Sequence, residues 1–495
     1  MTERADIVRT KLFIDGEERP AHGGREYGQF NPARPKELVG HAALSAPKDV
    51  DAAVKAAHAA FPAWSVLNFA ERADLLRKIA AALTANEADV VERSKLFTRE
   101  HGKITRETMM ELSRLGDRFL LSASYAERLA AEEQLQGPPL DTIVTRQPRG
   151  VAALIVPWNW PLSILGAKLP QALITGNTVV VKPAQNSALA PTLTLQIIAR
   201  MLPPGVVNIV TGSARDIGDA LVGHPLVRNV NFTGSIPVGR HVMKIAANNL
   251  TPVTLELGGN DPALVLEDAD LNAEAFQKMY LASFASTGQI CMAMKRLYVH
   301  ESRYDEVVEG LRAACNRAVV GDGLLPETTM GPLNNGQQLN VVKSMIAEAR
   351  SHDAEVCELG KIPDEALYNG GGYFQRPTLV LNANQSLTVV QDEQFGPVLP
   401  ISKFRTEEEA VALANDSAFG LCSSVWSQDA ERATLIARKL EAGYTYLNNH
   451  GPMAQDNRGP FGGFKQSGIG RNLGYDGVLA FAEPHTISGP PGFLF

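Results

Sequence analysis

The sequence predicts an α/β protein of two interleaved domains, each built on a largely parallel sheet, and three observations point there. Its 495 residues exceed what one compact core holds, so two or three domains are expected. Between residues 151 and 232, β-branched apolar runs alternate with helical segments at the spacing of right-handed βαβ units. A second alternating region runs from Pro262 to about Asn449, and neither a repeat nor a low-complexity linker separates the two.

A hydrophobic content of 45 % with 20 % charged residues describes an ordinary soluble globular chain. The net charge of −7 leaves no basic footprint for nucleic acid or for a membrane surface. No apolar run of about 18 residues could span a bilayer, and Met1–Asp6 lacks the apolar core of a signal peptide. Four cysteines, Cys291, Cys315, Cys357 and Cys422, are widely spaced without a CxxC pair. That spacing argues against a disulfide framework or a metal site and for a reducing, cytoplasmic compartment.

In chain order, Leu12-Phe13-Ile14 meets a hairpin turn at Asp15-Gly16, and Asn31-Pro32 opens another turn. Val50, Val54, Ala57 and Phe61 recur at helical steps behind an Asp49 cap, and helix continues through 70–83, 88–99 and 106–129. This block reads as scaffold. Residues 142–146 are β-like, and 151–156 is a continuous apolar run, as in a strand buried on both faces. Helix from about Leu162, strands at 178–181, 206–210 and 227–232, and helices at 190–201 and 216–221 complete the first region. Strands at 297–299 and 378–381 and helices at 304–319, 341–349, 407–415 and 431–440 form the second. The apolar end, Gly489–Phe495, reads either as a segment that docks on another subunit or as a frayed terminus.

The chemistry centres on Phe284-Ala285-Ser286-Thr287-Gly288-Gln289-Ile290-Cys291. A thiol behind Gly288 can sit on a loop that a substrate approaches closely; the alternative is a small buried hydrophobe. Parallel sheets bind ligands at the carboxyl ends of their strands, which directs attention to those ends. After the strand at 151–156, Asn159 stands between Trp158 and Trp160, either donating to an oxyanion or capping a helix. Lys182 ends the strand at 178–181, where it can reach a phosphate or ribose or simply face solvent. Thr233-Gly234-Ser235 opens a helix, which makes a pyrophosphate site or only a tight turn; it is not GxGxxG. Glu256 lies between Leu255 and Leu257 before Gly258-Gly259. Desolvated, it would hold its proton tightly and suit a general base; otherwise backbone amides satisfy it. Glu393 and Phe395 offer a carboxylate for ribose hydroxyls and a ring to wall a nicotinamide, or an ordinary turn with a core phenylalanine. Gly459–Gly468 is a glycine-rich aromatic loop.

Taken in order, from Pro157-Trp158-Asn159 to Gly462-Gly463-Phe464-Lys465-Gln466-Ser467-Gly468, these motifs resemble the aldehyde dehydrogenase superfamily over nearly the whole chain. The resemblance implies two interleaved Rossmann-like α/β domains plus a small β oligomerisation element. Residues 1–130 and 149–257 would form the cofactor-binding domain and 258–460 the catalytic domain. Residues 131–148 and 478–495 would assemble a homodimer or homotetramer. It implies NAD(P)-dependent oxidation of an aldehyde to a carboxylic acid through a thiohemiacetal and a thioester on Cys291. Glu256 would be the general base, Asn159 and the Cys291 backbone N–H the oxyanion donors, and Lys168 a neighbour of the catalytic centre. Cationic or amide groups nearby must favour the thiolate, because a free cysteine near pKa ~8.5 is mostly protonated at neutral pH.

The cofactor contacts implied by the resemblance are Val156, Pro157, Trp158, Lys182, Gln185, Gly212, Phe232, Thr233, Gly234, Ser235, Leu257, Gly258, Glu393 and Phe395. The implied substrate pocket has Trp160, Ile164 and Ala167 on one helical face, with Ile290, Met292, Phe461 and residues of 450–458 completing it. Such apolar walls favour an aliphatic or aromatic aldehyde. Arg458 could pair with the carboxylate of a semialdehyde, although a solvated loop arginine is the preferred reading. Two positions depart from the family pattern. Gln185 replaces a frequent glutamate on the adenosine ribose, so NAD is the expected acceptor with tolerance of NADP. Asn472 replaces another frequent glutamate, which puts a proton relay there in doubt. A CoA-acylating enzyme is the alternative that Glu256 argues against; a non-catalytic binding relative is the one that intact Cys291, Glu256 and Asn159 argue against.

Overall fold

The β-branched runs become the central strands of a parallel sheet, where burial on both faces rewards side chains without polar atoms. The computed structural model describes residues 7–352 and 354–495; Met1–Asp6, read above for a leader, lie outside them. Val253–Glu256, Val227–Thr233, Val151–Ile155, Thr178–Lys182 and Val207–Ile209 lie side by side in that order, all parallel. Leu12–Ile14 and Glu17–Arg19 extend one edge antiparallel. On the opposite edge Gly468–Ile469, from the glycine-rich loop, pairs antiparallel with Val253–Glu256. Gly468, at φ +151°, permits this pairing, because a Cβ there would stand 2.1 Å from the Leu255 carbonyl oxygen. The loop is thereby tied to the strand that ends in Glu256.

A second sheet of seven strands draws all its members from residues 261–447. Its centre, Val398–Phe404, Met294–His300, Asp261–Val265 and Cys422–Trp426, is parallel, and Glu355–Glu358 closes one edge antiparallel. A third, antiparallel sheet joins Ala482–Gly489 to Asp141–Pro148 and then to Glu133–Leu135. It unites the two segments set apart from the sequence as an oligomerisation element.

The helical block follows the periodicity, with helices Pro47–Ser65, Phe69–Ala82, Glu87–His101 and Thr105–Ala123. Asp49, however, lies inside the first helix, its carboxylate accepting from the Ala46 N–H at 2.7 Å, and the helix expected to 129 breaks into Thr105–Ala123 and Ala126–Ala130. The helix expected from about Leu162 is two short helices, Pro161–Gly166 and Leu169–Ile174, interrupted at Ala167-Lys168 ahead of Pro170, whose ring and missing N–H do not continue a helix. The helix at 304 ends at Cys315 rather than Val319, because Val319 bridges to Lys361 instead. No helix among the described residues is long and apolar enough to cross a membrane.

Candidate active site

Helix Ala273–Phe284 runs into a tight turn that leads to Cys291. Ser286 and Thr287 adopt left-handed backbone at φ 51° and 58°, a conformation non-glycine residues keep only when their surroundings hold it. Here the Glu107 carboxylate accepts from the Ser286 N–H at 2.7 Å, and Thr287 Oγ1 donates to the Gly331 carbonyl at 3.0 Å. The Gln289 side chain donates to the Ser286 carbonyl at 3.0 Å and accepts from the Asn334 N–H at 2.9 Å. The room expected at Gly288 for a substrate goes instead to the protein: a Cβ there would lie 2.2 Å from the Gly396 carbonyl oxygen.

This turn delivers Cys291 to the junction of two cavities. One, of about 380 Å³, is lined by Trp160, Ile164, Ala167, Ile290, Met292 and Phe461, with Glu256 in its wall. The other, of about 240 Å³, is lined by Pro157, Trp158, Gly234, Ser235, Leu257, Gly258, Glu393 and Phe395. Asn159, Thr233 and Cys291 belong to both. Pro452, Met453, Gln455 and Asn457 supply the contribution expected from 450–458.

Asn159 follows the first sheet's Val151–Ile155 strand and is buried. Its Nδ2 donates to the Gln289 carbonyl at 3.0 Å, which uses one of two amide N–H groups. Both Glu256 oxygens are buried with no hydrogen-bond partner in the fold. Burial pushes this carboxyl up to about 8, against the opposing pull of Lys168 and Arg471. Gly462 leaves the space: a Cβ there would sit 2.9 Å from Glu256 Oε1. Lys168 is fully buried and donates to Asn231 Oδ1, and Asn231 Nδ2 donates to Asn472 Oδ1 at 2.8 Å. Burial lowers Lys168 to about 7. Asn472 therefore ends a chain of donors that begins at the buried ammonium and reaches the larger cavity.

A neighbouring cation does pull Cys291 towards the thiolate, as expected, but burial outweighs it. Burial pushes the Cys291 thiol up to about 12. The nearest cation, Lys295, lowers it only in part, because that ammonium donates to the carbonyls of Ile290 (2.6 Å) and Cys291 (2.8 Å) and to Glu393 Oε1 (3.2 Å). Cys291 thus rests as a thiol and needs a base.

The smaller cavity has the donor set of a dinucleotide site. Ser235 precedes helix Ile236–Ala246 without capping it through its side chain, which leaves the first N–H groups available to an anion. Thr233 Oγ1 is buried and unpartnered. Glu393 is steadied by the Gly259 N–H at 3.1 Å, and the Phe395 ring meets Trp158 edge-on at 5.5 Å. Five of the residues expected to touch a cofactor do not line this cavity. Val156 and Phe232 are buried in core clusters, and Gly212 packs towards Leu44 and Ser45. Lys182 Nζ donates to the Pro183 carbonyl at 3.3 Å, and Gln185 is exposed on the following loop. Gln338 and Val341, on helix Gly336–Ser351, do line it; the sequence carries no motif there.

Arg458 is likewise corrected. Its Nε and Nη2 grip the Asp456 carboxylate at 2.7–3.1 Å, and the side chain is 80 % exposed, so it does not line the substrate cavity. The wall instead includes Met110, Arg114, Leu115, Asp117 and Arg118 of helix Thr105–Ala123, a segment the sequence presented as scaffold. The signal was there: 110, 114 and 118 share one helical stripe.

The sequence model of the Aldehyde dehydrogenase family matches residues 19–487. Glutarate-semialdehyde dehydrogenase of Pseudomonas putida is 34 % identical over 97 % of each chain. The NADP(+) succinate-semialdehyde dehydrogenase GabD of Escherichia coli is also 34 % identical over 97 % of each. A crystal structure of Staphylococcus aureus betaine aldehyde dehydrogenase in complex with NAD+ superposes with a TM-score of 0.91 at 31 % identity, covering 98 % of this chain and 96 % of that one. With its length so matched in sequence and in space, the chain belongs to the aldehyde dehydrogenase family.

Proposed function

We propose that the family's reaction, oxidation of an aldehyde to the carboxylic acid, is carried by Cys291, Glu256 and Asn159 of this chain. The observation that supports this assignment is the position of Cys291 where the two cavities meet, within one wall with an unpartnered buried carboxylate. Ionised Glu256 removes the Sγ proton, and the sulfur adds to the aldehyde carbon. The oxyanion of the thiohemiacetal receives the second amide N–H of Asn159 and the backbone N–H of Cys291. A bound nicotinamide supplies the two-electron acceptor through which that adduct becomes a thioester. After passing the Sγ proton to solvent, Glu256 takes a proton from water, whose oxygen attacks the thioester; the C–S bond breaks, the acid leaves, and Glu256 returns the proton to the Cys291 sulfur. Lys168, through Asn231 and Asn472, orients donors towards the same space.

Pro157, Trp158, Ser235, Glu393 and Phe395 would hold the dinucleotide. NAD is its expected form, with NADP tolerated at the neutral Gln185; the relatives named above include an NAD+ complex and an NADP(+) enzyme. We assign residues 1–130 and 149–257 to the cofactor-binding domain and 258–460 to the catalytic domain. A homodimer or homotetramer formed through 131–148 and 478–495 is supported by their joint sheet with exposed Ile487 and by exposed Phe493. The free cysteines suit a reducing, cytoplasmic setting.

The test is NADH formation over a panel of aldehydes, run beside Cys291→Ala, with the product identified. Turnover to free acid that disappears in the variant supports the assignment. Acyl-CoA as product, or equal turnover by the variant, overturns it.

A further inference from the structure

The polar side of helix Thr105–Ala123 does not face only solvent. Arg118 leaves this helix against Gly166 of helix Pro161–Gly166, where a Cβ would stand 2.8 Å from Arg118 Cγ and 3.1 Å from its Cβ. Gly166 therefore provides the room in which the arginine stem lies, and any side chain at 166 would displace it. So placed, Arg118 becomes part of the wall of the cavity that contains Cys291 and Glu256.

The guanidinium has no partner to explain it. Its Nη1 is buried without a hydrogen bond, and no carboxylate among the described residues forms an ion pair with it. Burial lowers its pKa only to about 10, so it stays charged at neutral pH. Trp160 Nε1, in the same wall, is also buried and unpartnered. Both groups can only donate. A buried donor left unmet, above all a charged one, is costly, and it is kept where a ligand supplies the acceptor.

The charges around the cavity agree. Arg114 and Arg118 stand against two carboxyls in the wall, Asp117 and Glu256, of which burial keeps Glu256 neutral below about pH 8, while Asp456 is already held by Arg458. The wall thus combines apolar sides with a cationic group carried on helix Thr105–Ala123, a different element from the turn that leads to Cys291, where the sequence had offered Arg458 as the pocket's cation.

We infer that Arg118 receives an anionic group at the end of the substrate remote from its aldehyde, so that the substrate class is an aldehyde bearing a carboxylate, the semialdehyde of a dicarboxylic acid. This rests on the reading that the reacting carbon lies at Cys291. A guanidinium suits the task because its fork presents two parallel N–H donors to a carboxylate.

The test compares glutaric semialdehyde with pentanal, which has the same carbon count and no charge, in the wild type, Arg118→Met and Arg118→Lys. Methionine preserves much of the stem that packs on Gly166, and a thermal melt checks that each variant is folded. The ratio of kcat/KM for the semialdehyde to that for pentanal is expected to fall roughly 10²-fold or more in Arg118→Met, mainly through KM, and to be partly restored in Arg118→Lys. An unchanged ratio, or a loss equal for both substrates, overturns the inference. Glutarate binding by calorimetry to Cys291→Ala, with and without Arg118→Met, keeps the question separate from turnover. If no aldehyde is oxidised yet glutarate binding requires Arg118, the nucleophile assignment fails and the anion site stands; if glutarate binds equally to both proteins, the anion site fails.

Discussion

Asn159 Nδ2 donates to the Gln289 carbonyl at 3.0 Å, tying the strand end of the first sheet to the turn that carries the nucleophile. The bond fixes the amide plane, so the second N–H is aimed before any substrate arrives. Such a preorganised donor is worth about 3–4 kcal/mol in the transition state. Asn159→Ala is expected to lower kcat by roughly 10²–10³-fold with the fold retained, read by steady-state kinetics beside circular dichroism. A loss below tenfold would show that the backbone N–H of Cys291 suffices.

With Glu256 as the proposed base, its carboxyl should set the pH dependence. Its carboxyl is raised to about 8 by burial, so it is neutral, and no base, below that pH. The kcat/KM of the wild type should therefore fall as pH drops below about 8, and Glu256→Gln should lose roughly 10²–10⁴-fold of activity together with that limb. The same shift makes a stability statement. A folded pKa above the unfolded one gives stability that is complete below the ordinary carboxylate value and is lost as pH rises through about 8. Glutamine mimics the neutral form. Thermal melts should show Glu256→Gln gaining on the wild type as pH goes from 5 to 8; a constant difference would mean that the carboxyl is not desolvated.

The first sheet was legible through runs such as Val151–Ile155 and Val179–Val181, whose burial on both faces leaves an apolar signature, whereas Asp261–Val265, Val398–Phe404 and Cys422–Trp426 of the second sheet were not read as strands. Cys291, Glu256 and Asn159 were legible because each sits in an unusual local context at a strand end or turn. Arg114 and Arg118 share a helical stripe with Met110, but charge on a helix ordinarily marks its solvent side, so the stripe read as scaffold until the cavity lining and the approach of Gly166 to Arg118 placed it. Nor could local pattern reveal that Glu107 holds Ser286, because the two are 179 residues apart and the bond is made by the fold. For Arg458 the preferred reading, a solvated loop arginine, holds: its partner, Asp456, is two residues away, and only the alternative that placed it in the pocket fails.

A buried ion pair supports the site from behind. Glu111 and Lys103 are paired with both side chains fully buried. The other Glu111 oxygen accepts from the N–H groups of Leu162 (3.1 Å) and Ser163 (3.0 Å), capping the helix that follows Asn159. Lys103 Nζ lies 4.0 Å from the centre of the Trp160 ring. Removing one partner leaves a buried charge alone, so Glu111→Ala should destabilise the protein by about 3–5 kcal/mol in urea unfolding. Lys103→Met combined with Glu111→Leu should lose less than the two single variants added together. Additive losses would show that the two side chains act independently.

Gln185, outside the smaller cavity, is where we propose that the choice between the two nicotinamide cofactors is made. It is exposed on the loop after strand Thr178–Lys182, and its carbonyl accepts from Gln29 Nε2 at 2.7 Å, so backbone contacts and not its side chain hold the loop in place. A side-chain change there should therefore leave the loop intact and alter only what it presents. A neutral amide does not repel a 2′-phosphate, and the wild type should use NADP with a kcat/KM within about two orders of magnitude of that for NAD. Gln185→Glu places a carboxylate in the same position. At an exposed site, each pair of like charges about 4 Å apart costs on the order of 1 kcal/mol, so a dianionic phosphate should lose roughly tenfold or more. Kinetics with both cofactors should show kcat/KM for NADP falling by that factor in the variant, with the gap narrowing as salt screens it. If the wild type already excludes NADP, or if Gln185→Glu weakens both cofactors alike, selectivity lies elsewhere in the cleft.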